Sequence, residues 1–517
     1  MEQTKAPDRG PLGRKIRPLD ELADILRSLR QRDKTIVQCH GVFDLLHPGH
    51  IRHFEAARRH GDILVVTVTP DRFVHKGPGR PVFNERLRAE SIAALECVDL
   101  VAINKWATAV ETIKLLRPHV YCKGSDYADR ESDVTGGITA EEEAVRRLGG
   151  RVEFTSDIMF SSTELLNQFY GVYPEEARRF LDDFKTRHSS DEVIAGLTAL
   201  QGKRVLVIGE AIIDEYHYCQ PMGKSPKETI VATRYVREES FAGGALACAN
   251  HLAGFCGDVH LVTSLGERDS REEFIREHLK SNVQPVFFSR PGASTIVKRR
   301  YIWEPFLTKM FEVVFMDDSD IPEVVEDRVV DHIKQTPAPY DLVIAVDYGH
   351  GFLTPRVVTT LCEKAPFLAV NTQANSANLG YNLITKYPRA DYVCIDEPEV
   401  RLAVHDRWSP VAELVDKVKG LLGARAVAVT RGHLGSLVCG EDGARSEVPV
   451  FSREVVDRVG AGDAYLAVTA PCVAAAMPMD VVGFIGNAVG ALAVRIVGNR
   501  SSVEPVPLYK FITALLK

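Results

Sequence analysis

The chain has 517 residues, of which 45% are hydrophobic and 26% charged, with a formal net charge of −7. This length predicts two large domains or three smaller ones, and the composition is that of an ordinary soluble globular protein. The acidic balance gives no reason to expect nucleic acid as a partner. A polar amino-terminal segment and an apolar stretch at 481–497 interrupted by Asn487 and Arg495 predict neither a secretory signal nor a membrane span. Ten cysteines without a CxxC pair indicate reduced thiols in a cytoplasmic protein.

Leucine and isoleucine residues at helical spacing over 19–29 predict a helix ahead of the first strand, which is expected at 35–39. Strands and helices then alternate, with strands from Ile63 and Leu100 and helices around 85–95 and before Pro118. Alternation of this kind predicts a parallel sheet with helices on both faces.

The turn after the first strand carries the tetrad His47-Pro48-Gly49-His50, and the next helix is expected to begin at about the second histidine. Two imidazoles and several free backbone N–H groups then surround one point at a helix N-terminus, where anions bind readily. Gly49 lacks a Cβ and lets the backbone approach a phosphate closely. A histidine pair so placed can stabilise the charge of a phosphate under attack. The alternative is two incidental histidines in a surface turn.

The longer phrase GVFDLLHPGHIRHFEAAR resembles the HxGH nucleotidyltransferases, an α/β family that includes glycerol-3-phosphate cytidylyltransferase and sugar-phosphate adenylyltransferases. Further matches follow in the same order: Lys76 in VHKGPGRP, Arg86 in NERLRAES, Lys123 in VYCKGSDY and Ser161-Ser162-Thr163 in FSSTELL. The resemblance covers about residues 35–170 and implies a Rossmann-like sheet.

By that resemblance, His47 and His50 hold the α-phosphate of a nucleoside triphosphate, and Lys123 acts with them. The residues implied to bind the nucleotide are Gly41, Phe43, Lys76, Ser161, Ser162 and Thr163. The two lysines could instead be solvated surface charges, and the Ser-Ser-Thr segment could be only a helix cap.

Residues 171–200 are charged and helical in pattern, and RVLVIG from Arg204 begins a second α/β pattern. Near its end stands DRVGAGD, in which Gly460, Ala461 and Gly462 precede Asp463. Small residues let successive N–H groups form an anion-binding concavity at a helix start. Asp463 beside it is placed to take a proton from a hydroxyl that attacks a γ-phosphate. Alone, the segment could be a capped helix start.

The GAGD segment resembles the signature of ribokinase-type (PfkB) carbohydrate kinases, and GEAIIDEY, FAGGA, VDYGHG and VTRGHLGSL precede it in the family's order. The resemblance covers about residues 200–510 and implies a ribokinase-like α/β sandwich. It implies that Asp463 is the catalytic base and that the N–H groups of Gly460, Ala461 and Gly462 stabilise the transferring phosphoryl group. Further implied contacts are Asp214, Gly243, Gly244 and Lys298 to the substrate, and Thr430, Gly432, Gly435 and Asn487 to the nucleotide.

The chain departs from the kinase pattern at several positions. Asp396 stands where the family usually has the Asn of an N-x-x-E motif, so that both Asp396 and Glu399 are acidic and indirect Mg²⁺ binding through water is expected. Ala247 replaces the usual Asn after the Gly-Gly turn, and Asn371-Thr372-Gln373 replaces an Asp-Pro-Lys segment. These changes leave the identity of the sugar open.

With both domains in one chain, the sequence resembles the bifunctional ADP-heptose synthase family. Here the transferase domain comes first, which is the reverse of the usual order in that family. The two resemblances imply a kinase that phosphorylates heptose 7-phosphate at O1 with ATP and Mg²⁺. After a separate phosphatase removes the 7-phosphate, the transferase couples the sugar 1-phosphate to ATP or CTP. Two alternatives stay open: a CDP- or GDP-activated sugar or polyol as product, or one catalytic domain with a regulatory binding module. A dinucleotide oxidoreductase is disfavoured because no G-x-G-x-x-G follows either first strand.

The expected organisation is a helical extension at 1–34, a nucleotidyltransferase domain at 35–170, a helical linker at 171–200 and a kinase domain at 201–517. The expected partners are a sugar phosphate and a nucleoside triphosphate, without nucleic acid or membrane. Because the kinase family is often dimeric, a homodimer is also expected.

Overall fold

The computed structural model describes residues 14–74, 76–77, 79–124, 137–155, 173–335 and 339–517. The chain divides into two compact units. Unit 1 is Met1–Val172 with Tyr509–Leu515 and Lys517, and unit 2 is Tyr173–Leu508 with Leu516. Each unit has its own sheet and its own hydrophobic core.

Unit 1 alternates strands and helices as the sequence predicts. Its strands are β1 (Ile36–Gly41), β2 (Ile63–Val68), β3 (Leu100–Ile103), β4 (Val120–Gly124) and β5 (Arg151–Thr155). Its helices are α1 (Leu19–Arg30), α2 (Pro48–Arg58), α3 (Glu85–Ala93), α4 (Val110–Leu116) and α5 (Gly137–Arg147).

The five strands of unit 1 form one parallel sheet in the order β3-β2-β1-β4-β5. Successive strand residues point to opposite faces, so Val37 packs with Phe54 of α2 while Ile36 packs with Leu22 of α1. Both faces of the sheet are therefore covered, as expected for a parallel sheet. The histidine tetrad lies where β1 ends, at the edge where ligands bind in such folds.

Unit 2 is larger and contains two sheets. Its strands are β6 (Arg204–Gly209), β7 (Ala211–Lys224), β8 (Val231–Gly244), β9 (Asp258–Arg268), β10 (Val283–Ser294), β11 (Ile296–Trp303), β12 (Thr308–Phe315), β13 (Leu342–Asp347), β14 (Leu368–Thr372), β15 (Tyr392–Asp396), β16 (Ala426–Thr430), β17 (Ser436–Cys439) and β18 (Arg445–Val448).

The remaining helices are α6 (Glu175–Phe184), α7 (Ser190–Thr198), α8 (Ala245–Leu252), α9 (Glu272–His278), α10 (Glu323–Gln335), α11 (Pro355–Lys364), α12 (Glu397–Ala403), α13 (Val411–Leu422), α14 (Ala461–Ala474), α15 (Met479–Ala493) and α16 (Pro505–Leu516). Helices α6 and α7 fall in the predicted linker segment. Phe184 at the end of α6 stacks on Phe484 of α15, with ring centroids 4.5 Å apart.

The main sheet of unit 2 has nine strands in the order β10-β9-β6-β13-β14-β15-β16-β17-β18, and only β17 and β18 pair antiparallel with their neighbours. A second sheet, β12-β11-β7-β8, has four strands, and its central pair β7 and β11 is parallel. Helix α14 contacts β13 and β15 of the main sheet as well as α8. Its amino-terminal turn carries the GAGD segment.

The structure confirms the predicted two-part α/β architecture, with a parallel five-stranded sheet in unit 1 and a mostly parallel nine-stranded sheet in unit 2. The predicted start of α2 was wrong by two residues, because Pro48 occupies the first helical position and His47 caps the helix. The apolar stretch near 481–497 forms the buried helix α15. In the described part of the chain, no helix is both long and apolar enough to cross a membrane.

Candidate active sites

The turn between β1 and α2 is organised by His47. The side chain of His47 caps α2, since its Nδ1 accepts a hydrogen bond from the backbone N–H of Gly49 at 3.2 Å. A ring nitrogen that accepts carries no proton, so the proton of this neutral imidazole lies on Nε2. The cap therefore selects the tautomer of His47 and makes Nε2 a hydrogen-bond donor.

His50 lies in the first turn of α2, and its ring centroid is 3.9 Å from that of His47. Nε2 of His47 and Nδ1 of His50 are buried and have no hydrogen-bond partner in the part of the chain that the structure describes. Burial, aided by His47, lowers the pKa of His50 to about 3. Buried polar atoms without partners are costly, so this histidine pair is suited to a ligand that supplies oxygen atoms.

Phe43 and Gly41 shape the wall beside the histidine pair. The Phe43 ring meets the His50 ring edge-on at 5.4 Å, and the Phe43 backbone has a φ of 49°. A Cβ on Gly41 would lie 2.9 Å from the Phe43 ring. Position 41 therefore needs glycine for this ring to keep its place.

Lys76 and Lys123 differ in their surroundings. Burial lowers the pKa of Lys76 to about 8, with Arg80 adding to the effect, and the charge of Lys76 contributes to the lowered pKa of His50. The Lys123 ammonium pairs with the buried Glu141 carboxylate at 3.0 Å. Lys76 is thus electrostatically coupled to the histidine pair, whereas Lys123 is bound to an internal carboxylate.

The remaining predicted residues of unit 1, Ser161, Ser162 and Thr163, lie outside the described residues. The arginine in the NERLRAES motif that the structure buries is Arg88, whereas Arg86 is exposed and pairs with Glu90. Arg88 donates to the carbonyl groups of Val42 and Thr69. It therefore joins the segments that follow β1 and β2, next to the tetrad.

In unit 2, the GAGD segment forms the start of α14. Gly460 caps the helix with a φ of +79°, a conformation that L side chains rarely adopt. A Cβ on Gly460 would lie 2.1 Å from Oδ1 of Asn499, whereas one on Gly462 would meet nothing within 4 Å. The helix N-terminus with Ala461 and Gly462 is thus a suitable environment for a phosphate.

Asp463 lies in the first turn of α14 and is held by a tyrosine. The hydroxyl of Tyr348 donates to Oδ1 of Asp463 at 2.6 Å. Burial raises the pKa of Asp463 to about 6; the Tyr348 hydrogen bond lowers it, the Asp214 carboxylate raises it and the Lys298 ammonium lowers it. The structure therefore brings together Asp463, Asp214 and Lys298 from three separate sequence motifs.

Asp214 on β7 accepts a hydrogen bond from Arg300 and a second from Nδ2 of Asn499 at 3.2 Å. A Cβ on Gly243 would lie 2.1 Å from Oδ2 of Asp214, and Gly244 caps α8 with a φ of +61°. The Gly-Gly turn therefore leaves room for the Asp214 carboxylate.

Lys298 is buried on β11, and burial lowers its pKa. Its Nζ lies 5.6 Å from the centre of the Tyr348 ring. Among the described residues the ammonium makes no hydrogen bond or ion pair. A buried cation in this state is suited to an anionic ligand.

The residues predicted around the kinase nucleotide lie near the start of β17. Thr430 ends β16, Gly432 begins a short turn, and a Cβ on Gly435 would lie 2.0 Å from the carbonyl oxygen of Val448. Asn487 of α15 donates to Oγ of Ser436 at 2.9 Å and to the carbonyl of Val448 at 3.0 Å. The Asn487 amide nitrogen is thus used within the fold.

Asp396 and Glu399 form a capping box at the start of α12. Glu399 accepts from the backbone N–H groups of Asp396 and Ala374, and burial together with the Asp396 carboxylate raises the pKa of Glu399 to about 8. Among the described residues, no group of three or more His, Cys, Asp or Glu side chains is arranged to hold a metal directly. Paired carboxylates bound in this way fit a Mg²⁺ ion held through water.

Sequence reasoning missed three residues of the kinase site: Tyr348, Arg300 and Asn499. Tyr348 stands in the quoted VDYGHG motif, but nothing in the motif says that its hydroxyl reaches Asp463. Arg300 follows Lys298 by two residues on the same strand, so strand periodicity could have placed both on one face. No motif in the sequence around Asn499 indicates that it belongs to this site.

Comparison with known proteins supports both domains. The profile of the cytidylyltransferase-like family matches residues 39–167, and that of the pfkB family carbohydrate kinases matches residues 358–505. "Bifunctional protein HldE" of Syntrophotalea carbinolica is 41% identical over 141 residues, which is 27% of each chain. The protein of that name from Methylobacillus flagellatus is 42% identical over 151 residues, or 29% of this chain and 30% of the relative. Each of these matches thus spans less than a third of the curated relative's length.

The crystal structure of phosphofructokinase-2 from Escherichia coli with substrates and products aligns with 61% of this chain and 100% of its own. The TM-score is 0.50 at 14% sequence identity, which indicates a shared fold. The two predicted resemblances are confirmed: the chain joins a cytidylyltransferase-like domain, similar to that of the bifunctional HldE proteins, to a ribokinase-like domain of the pfkB type.

Proposed function

We propose that the chain is a bifunctional sugar-activating enzyme. Unit 2 phosphorylates a sugar phosphate at O1, a separate phosphatase removes the phosphate that the sugar already carried, and unit 1 couples the sugar 1-phosphate to a nucleotide. The observation that carries the proposal is the grouping of Asp463, Asp214 and Lys298 at the start of α14. This grouping combines a base, a sugar-hydroxyl acceptor and an unpaired cation beside a phosphate-binding helix terminus.

In the kinase reaction, Asp463 takes the proton of the anomeric hydroxyl as its oxygen attacks the γ-phosphorus of ATP. The bond between that phosphorus and the bridging oxygen breaks, and ADP leaves. The N–H groups of Gly460, Ala461 and Gly462 stabilise the transferring group, while Asp214 and the Gly243-Gly244 turn orient the sugar. Thr430, Gly432, Gly435 and Asn487 surround the nucleotide.

Mg²⁺ is the metal that this reaction requires. When bound, it neutralises charge on the phosphates and screens the repulsion between them and the acceptor. Asp396 and Glu399 would hold it through water molecules, because their carboxylates also cap α12.

In the transferase reaction, a phosphate oxygen of the sugar 1-phosphate attacks the α-phosphorus of a nucleoside triphosphate, and pyrophosphate leaves. The acceptor is already charged, so no protein nucleophile is needed. Nε2 of His47 and the His50 ring contact the α-phosphate, and Lys76 neutralises phosphate charge. Lys123, whose charge is balanced by Glu141, contributes a second ammonium group. Gly41 and Phe43 complete the described part of the nucleotide site.

We propose heptose 7-phosphate as the kinase substrate and ATP as the nucleotide donor, giving ADP-heptose once a separate phosphatase has hydrolysed the 7-phosphate of the kinase product. The similarity to the HldE proteins at about 40% identity supports this choice. The Lys298 ammonium, which pairs with no carboxylate among the residues that the structure describes, supports a substrate that already carries a phosphate. Because both reactions consume nucleoside triphosphates, we place the enzyme in the cytoplasm.

We also propose a homodimer formed through the four-stranded sheet of unit 2. Its edge strand β12 is exposed along almost its whole length and carries Phe311 and Phe315, while Phe306 just before it is 70% exposed. An exposed apolar edge strand is a liability unless a partner covers it. A second copy of the same sheet is the occupant we propose.

The test is a panel of ATP, CTP, GTP and UTP with heptose 1-phosphate, run on the intact chain and scored by pyrophosphate release. We expect release with ATP. Exclusive use of CTP or GTP would overturn the ADP-heptose proposal in favour of a CDP- or GDP-activated product.

The kinase half is tested separately with heptose 7-phosphate and ATP, comparing wild type with Asp463→Asn. Loss of a general base costs about 10²- to 10⁴-fold in rate. We expect the Asp463→Asn variant to lose kinase activity by this factor. Its transferase activity should be retained and serves as the internal control. Kinase turnover that is absent in the wild type, or unchanged in the variant, would favour a regulatory role for unit 2.

A further inference from the structure

The hydroxyl of Tyr348 contacts the carboxylate of Asp463 directly. Tyr348 follows β13, is 3% exposed, and donates to Oδ1 of Asp463 at 2.6 Å. A carboxylate that accepts a hydrogen bond at one oxygen is restrained in rotation, which leaves Oδ2 to face another donor. In the proposed kinase reaction that donor is the acceptor hydroxyl of the sugar.

Tyr348 is itself held on both sides of its backbone. Its N–H donates to the buried Glu210 carboxylate at 3.0 Å. Its carbonyl accepts from Nδ2 of Asn375 at 2.8 Å and from Nδ2 of Asn378 at 2.7 Å. Three hydrogen bonds therefore fix the backbone from which the buried Tyr348 side chain reaches Asp463.

We propose that Tyr348 is a positioning residue of the kinase, which orients Asp463 and keeps its carboxylate ionised for proton abstraction. The proposal rests on the proposed kinase function of unit 2. A hydrogen bond donated to a carboxylate favours its charged form. Tyr348 therefore contributes both to the geometry of the base and to the pH range over which it is active.

Five titratable groups lie close to Asp463, and its pKa sets the pH profile in which the effect of Tyr348 can be measured. They are Tyr348, Asp214 on β7, Lys298 on β11, Cys248 on α8 and Cys394 on β15. Burial raises the pKa of Cys248 and of Cys394 well above neutrality, so both thiols stay uncharged. Without the Tyr348 hydroxyl, burial and Asp214 would be opposed by Lys298 alone, and the pKa of Asp463 would rise.

The experiment compares the kinase pH profile of the wild type and of Tyr348→Phe between pH 5 and 9, with transferase activity as the test of intact folding. We expect the acidic limb of kcat/KM to move up by about one pH unit, which at a pH below the limb is a roughly tenfold loss. The KM for ATP should stay unchanged. Tyr392→Phe is the matched control. The buried Tyr392 hydroxyl forms a hydrogen bond of 3.0 Å with Thr469, which lies on α14 together with Asp463.

A second variant keeps the shape of the side chain. Replacing Tyr348 by 3-fluorotyrosine makes the hydroxyl a stronger donor, so the acidic limb should move down instead of up. An unchanged limb in both variants, or an equal shift in Tyr392→Phe, would overturn the proposal. A wild type without kinase activity would overturn the proposed function itself, so the two failures are distinguishable.

Discussion

Lys298 lies directly opposite Asp214 on the neighbouring parallel strand, yet the two side chains form no ion pair. The Asp214 carboxylate pairs with Arg300 instead. Lys298 is only 8% exposed, so its ammonium is a buried cation beside the proposed acceptor site. Burying an unpaired charge costs free energy that a bound anion would recover.

Lys298→Met should therefore weaken binding of the phosphorylated sugar. A charge-assisted hydrogen bond contributes about 1.5–3 kcal/mol, so the KM for the sugar phosphate should rise roughly 10- to 100-fold. The control is Lys224→Met at the exposed end of β7, which should leave the KM unchanged. An unchanged KM in the Lys298 variant would exclude a phosphate contact.

His47→Ala should abolish most transferase activity and leave kinase activity intact. It removes the Nε2 donor, and loss of one such donor typically costs about 10²- to 10³-fold in kcat. Pyrophosphate release measures the effect, and His60→Ala in the turn after α2 serves as the control. Equal rates for both variants would contradict the assignment of the tetrad.

The transferase should lose efficiency in alkaline solution. The pKa of Lys76 is lowered to about 8 by burial, so its ammonium is charged below that pH and neutral above it. The kcat/KM for the nucleotide should fall as the pH rises through about 8, because kcat/KM reports the free enzyme. In Lys76→Arg, whose charge does not titrate, this decline should disappear. A decline that persists in the arginine variant would point to another group.

Asn487→Ala should destabilise unit 2. Its amide donates to Ser436 and Val448, and losing these two bonds should lower the free energy of unfolding by about 2 kcal/mol. Chemical denaturation measures the loss, and a double-mutant cycle with Ser436→Ala isolates the shared bond. Full stability with a raised KM for ATP would show that the amide serves the nucleotide instead.

Phe311→Glu should convert the proposed dimer into a monomer, since it places a charge in an apolar interface on β12. Light scattering gives the mass in solution. Val324→Glu on α10, where the side chain is 73% exposed, is the control for a surface charge elsewhere. A wild type that is monomeric at all concentrations would exclude the interface.

The sequence was sufficient to predict both α/β domains, because buried strands and amphipathic helices leave strong periodic patterns. The sequence was a less reliable guide to where α2 begins, because His47 caps this helix and Pro48 is its first residue. It could not reveal that Tyr348 reaches Asp463 or that Arg300 pairs with Asp214. Such contacts depend on which strands become neighbours, and no local pattern records that.

Asn499 contacts the two ends of the proposed kinase site at once. Its Oδ1 occupies the space that a Cβ on Gly460 would need, while its Nδ2 donates to Asp214. A methyl group at position 460 would therefore push the amide away from the sugar-binding carboxylate. We expect Gly460→Ala, a change in the phosphate-binding turn, to produce a defect in sugar affinity as well as in ATP turnover. Kinetic effects at this site cannot then be attributed to one substrate by the position of the mutation alone.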